Sequence, residues 1–205
     1  MQTEVLSASS SEAIAQALTI LHTGGLVAFP TDTVYGVGAL AFDGNAIESI
    51  YIAKDRPLEK AIPILISDIS ELDKVAVDIP ESVYKLASRF WPGPLTLLVP
   101  KRAELPDSVS ATSTVGVRVP DHEIARALLR AAGPMAVTSA NISGAQSPVS
   151  AEDVYQQLGG RIPLIIDGGR TPGGVPSTLV DCTVPGLNIL REGPIALKEL
   201  RSALE

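Results

Sequence analysis

The stretch Gly25-Leu26-Val27-Ala28-Phe29-Pro30-Thr31-Asp32-Thr33-Val34-Tyr35-Gly36-Val37-Gly38 does most to limit what this chain can become. A short, wholly apolar run opens it and predicts a buried strand. Pro30 breaks the run into a turn bearing hydroxyls and a carboxylate, and Gly36 and Gly38 close it. Polar side chains set at the end of a buried strand are where α/β proteins usually hold ligands. An ordinary strand-to-turn passage would read the same way, so the remaining segments have to decide between the two.

Those segments repeat the theme of short apolar runs between amphipathic helices. Ser10 or Ser11 is expected to cap a helix over 13–21, with Ile14, Ala17, Leu18 and Leu21 at helical spacing and Gly24-Gly25 as its stop. Asp43-Gly44-Asn45 caps a second helix over 46–54, whose Ile47, Ile50 and Tyr51 share a face. A charged loop, 54–60, leads to an expected strand over 62–66, where Pro63 suggests an edge position or a bulge. Short helices over 70–75 and 81–90 follow, and Trp91-Pro92-Gly93-Pro94 makes a rigid bend before a strand over 95–99.

Residues 101–114 read as irregular, and their length makes them the candidate lid. A strand over 115–120 precedes a helix over 122–132 capped by Asp121, with Ile124, Leu128 and Ala131 inward. The strand 135–138 breaks into Ser139-Ala140-Asn141-Ile142-Ser143-Gly144. Ser150 and Asp153 have the spacing of a capping box for a helix to Leu158. A strand over 164–167 runs into a glycine-rich turn, Gly168 to Gly174, and strands over 177–181 and 187–191 precede a last helix over 197–204. Helix-linked strands early and successive strands late predict one α/β domain over 1–205, built on a mixed sheet.

Composition narrows the chemistry. A chain of 205 residues buries roughly 70% of its unfolded surface and needs no staples. Aromatic residues make up 4%, too few for a base-stacking surface, and a net charge of −7 argues against a broad nucleic-acid face while leaving room for a local basic pocket. One cysteine, Cys182, cannot form an internal disulfide or a thiolate cage, and His22 and His122 lie far apart, so a structural metal is not expected. No basic-then-apolar leader opens the chain, and no apolar run approaches the ~20 residues that span a bilayer. These features lead us to expect a cytoplasmic protein with no membrane contact.

Several polar clusters share one design, in which a buried strand ends and polar side chains emerge. They are Thr31-Asp32-Thr33, Lys54-x-Arg56 with Lys60, Thr112-Ser113-Thr114 with Arg118, Ser139-Ala140-Asn141, Ser177-Thr178, and Arg191. Singly, each has a plain structural reading: a solvated helix end, a turn, a strand edge. Together they combine cations for phosphate or carboxylate with hydroxyls and amides that fix orientation. No Ser-His-Asp set, metal-ligand cluster or activated cysteine accompanies them. Cations and hydroxyls alone suit phosphoryl or nucleotidyl chemistry, where positioning and charge stabilisation supply most of the catalysis.

The motifs Pro30-Thr-Asp-Thr-Val-Tyr-Gly-Val-Gly38, Lys54-x-Arg56-Pro57, Trp91-Pro-Gly-Pro-Leu-Thr96, Val117-Arg-Val-Pro120, Thr138-Ser-Ala-Asn141-x-Ser143-Gly144, Ser177-Thr-Leu-Val-Asp181 and Arg191-x-Gly193 resemble, in order, those of the YrdC family of threonylcarbamoyl-AMP synthases. The resemblance runs from about residue 10 to 195. It implies a twisted mixed β-sheet flanked by helices around a large concave cavity, of the YrdC/RibB-like kind. It also implies an enzyme that joins L-threonine, bicarbonate or CO2, and ATP into threonylcarbamoyl-AMP and pyrophosphate, for the modification of adenosine in tRNA.

By the same resemblance Lys54, Arg56 and Lys60 face the triphosphate, and Ser139 and Asn141 fix ATP against the carbamate. Arg191 holds the nucleotide, with Thr114 and Ser143 as lesser contacts. Arg118 grips the threonine carboxylate, with Thr33, Thr138, Ser139 and Ser177 around the rest of that substrate. Mg²⁺ is expected on the ATP phosphates and no organic cofactor is implied. The implied partners are proteins of tRNA modification and tRNA itself. This chain departs from the family's pattern at Ala61-Ile62, where Pro-Leu is common, and has only apolar residues where longer members carry a histidine near the next strand. It also ends soon after Arg191, without the linker and C-terminal domain of the longer members. Two other readings fit parts of the pattern: a paralogue with different acyl chemistry, and a non-enzymatic double-stranded RNA or tRNA binder, which the acidity and few aromatics disfavour.

Overall fold

A computed structural model describes residues 1–173 and 175–205; Gly174, part of the expected glycine-rich turn, lies outside the described residues. The chain opens with β1 (Glu4–Ser7), α1 (Ala13–His22), β2 (Val27–Phe29), β3 (Gly36–Leu40), α2 (Gly44–Lys54) and β4 (Ile64–Leu65). A 3-10 turn (Ile69–Lys74) leads to α3 (Glu81–Phe90), β5 (Leu95–Pro100), β6 (Thr114–Arg118), α4 (Glu123–Ala132) and β7 (Met135–Ser139). The last part holds α5 (Ala151–Leu158), β8 (Leu164–Asp167), β9 (Thr178–Asp181), β10 (Asn188–Arg191) and α6 (Leu197–Leu204). Among the described residues ten strands form one mixed sheet in the order β1-β8-β2-β3-β7-β4-β6-β5-β9-β10.

The apolar run of β2 is explained by burial on both faces. Val27 and Phe29 pack with Leu21, Leu128 and Leu129 from α1 and α4, whereas Ala28 faces the other side with residues of α2, α3 and α5. A strand's period of two sends alternate side chains to opposite faces, so a doubly covered strand must be apolar throughout. Where local chemistry dominates, the expected elements appear as read. Asp43 accepts from the Ala46 backbone N–H at 3.0 Å to start α2. Ser150 and Asp153 close the capping box of α5, Ser150 Oγ accepting from Asp153 N at 3.2 Å and Asp153 Oδ2 from Ser150 N at 3.1 Å.

Other expectations require correction. The N-cap of α1 is Glu12 and that of α4 is His122, neither with a side-chain capping bond; Ser10 Oγ accepts from Glu12 N at 3.3 Å in the turn just before α1, whereas Ser11 and Asp121 do not cap. Ala131 is exposed, because α4 buries the stripe Ala125, Leu128 and Leu129 instead. β4 lies inside the sheet, between β7 and β6, rather than at an edge. Pro63 shortens it to two residues yet still takes part, its carbonyl accepting from Val137 N at 2.9 Å; only the missing N–H is lost. The segment 101–114 is anchored: Leu105 and Val109 are buried, Ile62 N donates to Val109 O at 2.9 Å, and Lys101 Nζ donates to Ser110 O at 2.7 Å.

Two strands were not expected. β1 carries little apolar signal because most of it is exposed at the sheet edge. β3 holds the two glycines read as the close of a turn. A Cβ on Gly38 would stand 2.8 Å from the Ala136 carbonyl, so the absent side chain is what lets β3 lie against β7.

Candidate active site

The face of the sheet that carries α1 and α4 is covered only over β8-β2-β3-β7. Beyond Val137 and Leu65 the same face opens into a cavity of about 340 Å³. Leu65, Leu98, Val137 and Leu179 make an apolar floor, and Gly116 keeps it open, since a Cβ there would come within 3.0 Å of Thr96. Polar groups rise around the rim from strand ends: Thr31 and Thr33 after β2, Arg118 ending β6, Thr138 and Ser139 ending β7, Ser177 before β9, and Arg191 ending β10. Arg56 enters from the loop after α2.

Arg118 is 6% exposed and fully oriented. Its Nε donates to Gly93 O at 3.0 Å, Nη1 to Thr33 Oγ1 at 3.2 Å, and Nη2 to Asp32 Oδ1 at 2.5 Å. Thr31 and Thr33 bond each other at 3.1 Å, and Thr31 Oγ1 also donates to Val34 O at 2.7 Å, which stiffens the turn that presents them. Across the cavity Arg191 donates from Nε to Ser177 O at 3.0 Å and from Nη2 to Ser177 Oγ at 3.1 Å, while Ser177 Oγ bonds Thr96 Oγ1 at 2.7 Å. Burial, and then the like charge of Arg118, lower the Arg191 pKa below its ordinary value. Arg56 is held from below by the carbonyls of Lys60, at 3.1 Å, and Ala61, at 2.9 Å.

Gly193 sets the course of the chain as it leaves β10. A Cβ there would stand 2.3 Å from Thr178 N and 2.7 Å from Pro176 O, beside the segment that carries Ser177. Backbone atoms cannot yield as a flexible side chain would. Gly193→Ala is therefore expected to destabilise the fold by about 1–3 kcal/mol, the usual range for overpacking, as urea denaturation would register.

The chain matches the Sua5/YciO/YrdC family, described as telomere recombination, over residues 19–193. It belongs to that family. Among its relatives are the threonylcarbamoyl-AMP synthase of Pyrococcus abyssi (strain GE5 / Orsay), 46% identical over 90% of this chain and 55% of that protein, and that of Bacillus subtilis (strain 168), 42% identical over 98% of this chain and 59% of that protein. The chain thus spans little more than half the length of these curated relatives. The crystal structure of P. abyssi Sua5 complexed with L-threonine superposes with a TM-score of 0.93, at 42% identity, covering 100% of this chain and 61% of that one. The likeness extends the expected fold to the whole described chain: a mixed sheet with helices on both sides.

The Sua5/YciO/YrdC motifs do not all reach the cavity. Thr33, Arg56, Arg118, Thr138, Ser139, Ser177 and Arg191 line it; Lys54, Lys60, Thr114, Asn141 and Ser143 do not. Lys60 is exposed on the loop below Arg56, and Thr114 and Ser143 are half-buried at strand and turn ends. Lys54 is only 1% exposed, and its ammonium donates to the carbonyls of Ser139, at 2.5 Å, and Asn141. Desolvation, reinforced by Arg56, lowers its pKa from 10.5 to about 7. Asn141 turns its amide back onto the carbonyls of Ile142, at 2.8 Å, and Ala145, at 3.0 Å, so it too braces the loop after β7.

The sequence assigns no role to three lining hydroxyls: Thr96 and Ser147 stand outside the polar clusters, and Thr31 stands within one. Thr31 sits in the turn already singled out and Thr96 in a quoted motif, but nothing in the sequence around Ser147 marks it. The apolar departure after Lys60 is also now located, since Ala61, Ile62, Pro63 and Leu65 all line the cavity. Among the described residues no group of three or more His, Cys, Asp or Glu could hold a metal, and no helix is long and apolar enough to cross a membrane.

Proposed function

We propose that this cavity joins L-threonine, bicarbonate or CO2, and ATP into threonylcarbamoyl-AMP and pyrophosphate. One observation carries the reading: the charged groups lining the described cavity are three guanidiniums, Arg56, Arg118 and Arg191, with no carboxylate among them. Such a lining attracts ligands that together bear several negative charges, as a triphosphate and an amino-acid carboxylate do. The names of the relatives, and the L-threonine in the P. abyssi Sua5 crystal, agree with it.

In this reaction the threonine amine first attacks the carbon of CO2, losing a proton, or of bicarbonate, with loss of water, to form an N-carbamate. A carbamate oxygen then attacks the α-phosphorus of ATP, and the bond to the departing pyrophosphate breaks. Arg118 would take the threonine carboxylate, with Thr33, Thr138 and Ser177 around the amine and hydroxyl. Arg56, with Lys60 on the exposed side of the loop, would neutralise the triphosphate, and Arg191 would hold the nucleotide. Ser139 would meet the reacting phosphate, while Lys54 and Asn141 act on it through the loop they brace. The lining offers no carboxylate for a cation, so Mg²⁺ would enter on the phosphate oxygens of ATP and keep its water. The product, a reactive mixed anhydride, would pass to proteins of tRNA modification in the cytoplasm.

Exchange of labelled pyrophosphate into ATP tests this directly. It is expected to require both L-threonine and bicarbonate; exchange indifferent to threonine would sink the proposal.

A further inference from the structure

Asp32 belongs to the turn that organises the sequence, yet the reaction as proposed leaves it without a role. It does not line the cavity. Its carboxylate lies behind Arg118, at 2.5 Å from Nη2, with side-chain exposures of 12% for Asp32 and 8% for Arg118. The second carboxylate oxygen, Oδ2, is buried with no protein partner, and so is Nδ1 of the neighbouring His122. Burial lowers the His122 pKa against the opposing pull of Asp32, Asp121 and Glu123, which disfavours a positive charge on the imidazole there.

We infer that Asp32 divides the cavity by charge, cancelling Arg118 to make a neutral amino-acid end and leaving Arg56 and Arg191 as a separate phosphate end. The inference rests on the function proposed above. Arg118 and Arg191 line the same cavity, Arg118 bonded to Thr33 and Arg191 to Ser177, and the charge of the one opposes that of the other. Without a counter-ion they would form an adjacent pair of guanidiniums, the preferred clamp for a polyphosphate. A buried carboxylate on one of them weakens that clamp in a low-dielectric setting, where a single charge acts strongly. An amino acid bearing one carboxylate still finds the oriented donors of Arg118. The device is repulsive toward the wrong ligand rather than attractive to the right one, which is how specificity among anions is often achieved.

Calorimetric titration of L-threonine, with and without saturating inorganic pyrophosphate, tests the division in the native protein and in Asp32→Asn. In the native protein the two ligands are expected to bind together, threonine affinity changing less than about twofold. In Asp32→Asn pyrophosphate is expected to bind about tenfold more tightly, as for loss of one partly screened charge, and to exclude threonine. Unchanged affinities in the variant, or equal loss of both ligands, would overturn the inference and leave Asp32 as scaffold alone. Should Asp32→Asn fail to fold, the native titration decides, because mutual exclusion of pyrophosphate and threonine there is incompatible with two separate ends. A native protein that binds no L-threonine at all would refute the proposed function instead, while the change in pyrophosphate affinity still judges Asp32.

Discussion

Arg118→Ala is expected to destabilise the protein by about 3–5 kcal/mol, the cost of removing one partner from a buried ion pair, and to abolish measurable L-threonine binding. Both effects arise from the same three bonds. The guanidinium is held by Gly93 O, Thr33 Oγ1 and Asp32 Oδ1, and its loss strands the Asp32 carboxylate in a dry site with no partner for either oxygen. Urea denaturation measures the first effect and calorimetry the second. The double variant Asp32→Ala/Arg118→Ala separates them: it removes the stranded charge, so most of the stability should return while threonine binding should not. Recovery of threonine binding in the double variant would show that Arg118 does not hold the substrate.

Lys54→Met is expected to lower turnover by about a hundredfold, the scale of a small misplacement in a positioned site, with ligand affinities changing only severalfold. The ammonium does not reach the cavity; it fixes the carbonyls of Ser139 and Asn141, and the Ser143 N–H in turn donates to Lys54 O at 2.8 Å. Methionine keeps the volume and loses the donors, so the loop after β7 is freed while Arg56, Arg118 and Arg191 remain. Steady-state kinetics with direct binding of ATP and threonine would reveal the split; a large loss of ATP affinity would mean that Lys54 itself meets phosphate.

The same side chain gives a pH signature. Its folded pKa near 7 lies below the ordinary 10.5, so between these values the unfolded chain binds the proton and the folded one does not. Stability from this group is therefore greatest above pH 10.5 and is lost as pH falls, the loss being complete below about 7. Over that window it amounts to up to about 5 kcal/mol. The difference in stability between the native protein and Lys54→Met should follow that course, other groups titrating alike in both.

Much of the fold is legible in the sequence wherever bonds are local. Asp43 and Ser150 act on backbone groups three residues away, and α3 spans 81–90 as its pattern indicates. The strand ends that carry Thr33, Arg118, Ser139, Ser177 and Arg191 are equally plain, because polar residues flank each short apolar run. Failures fall where a neighbour distant in sequence decides. Gly36 and Gly38 look like a turn until β7 is laid against them, and Pro63 looks like an edge residue until Val137 N is seen to use its carbonyl.

By itself, then, the sequence determined the α/β class, most helix limits, the family and the set of polar strand ends. Only the tertiary structure decided which of them enter the cavity and which stand behind it. Lys54 lies 85 residues from Ser139, and Arg118 lies 86 from Asp32. A lysine that braces a loop and one that binds phosphate are the same letter in the same motif. What separates them is burial: a charge shut away from water must find its partners within the fold, and the sheet order alone brings those partners together.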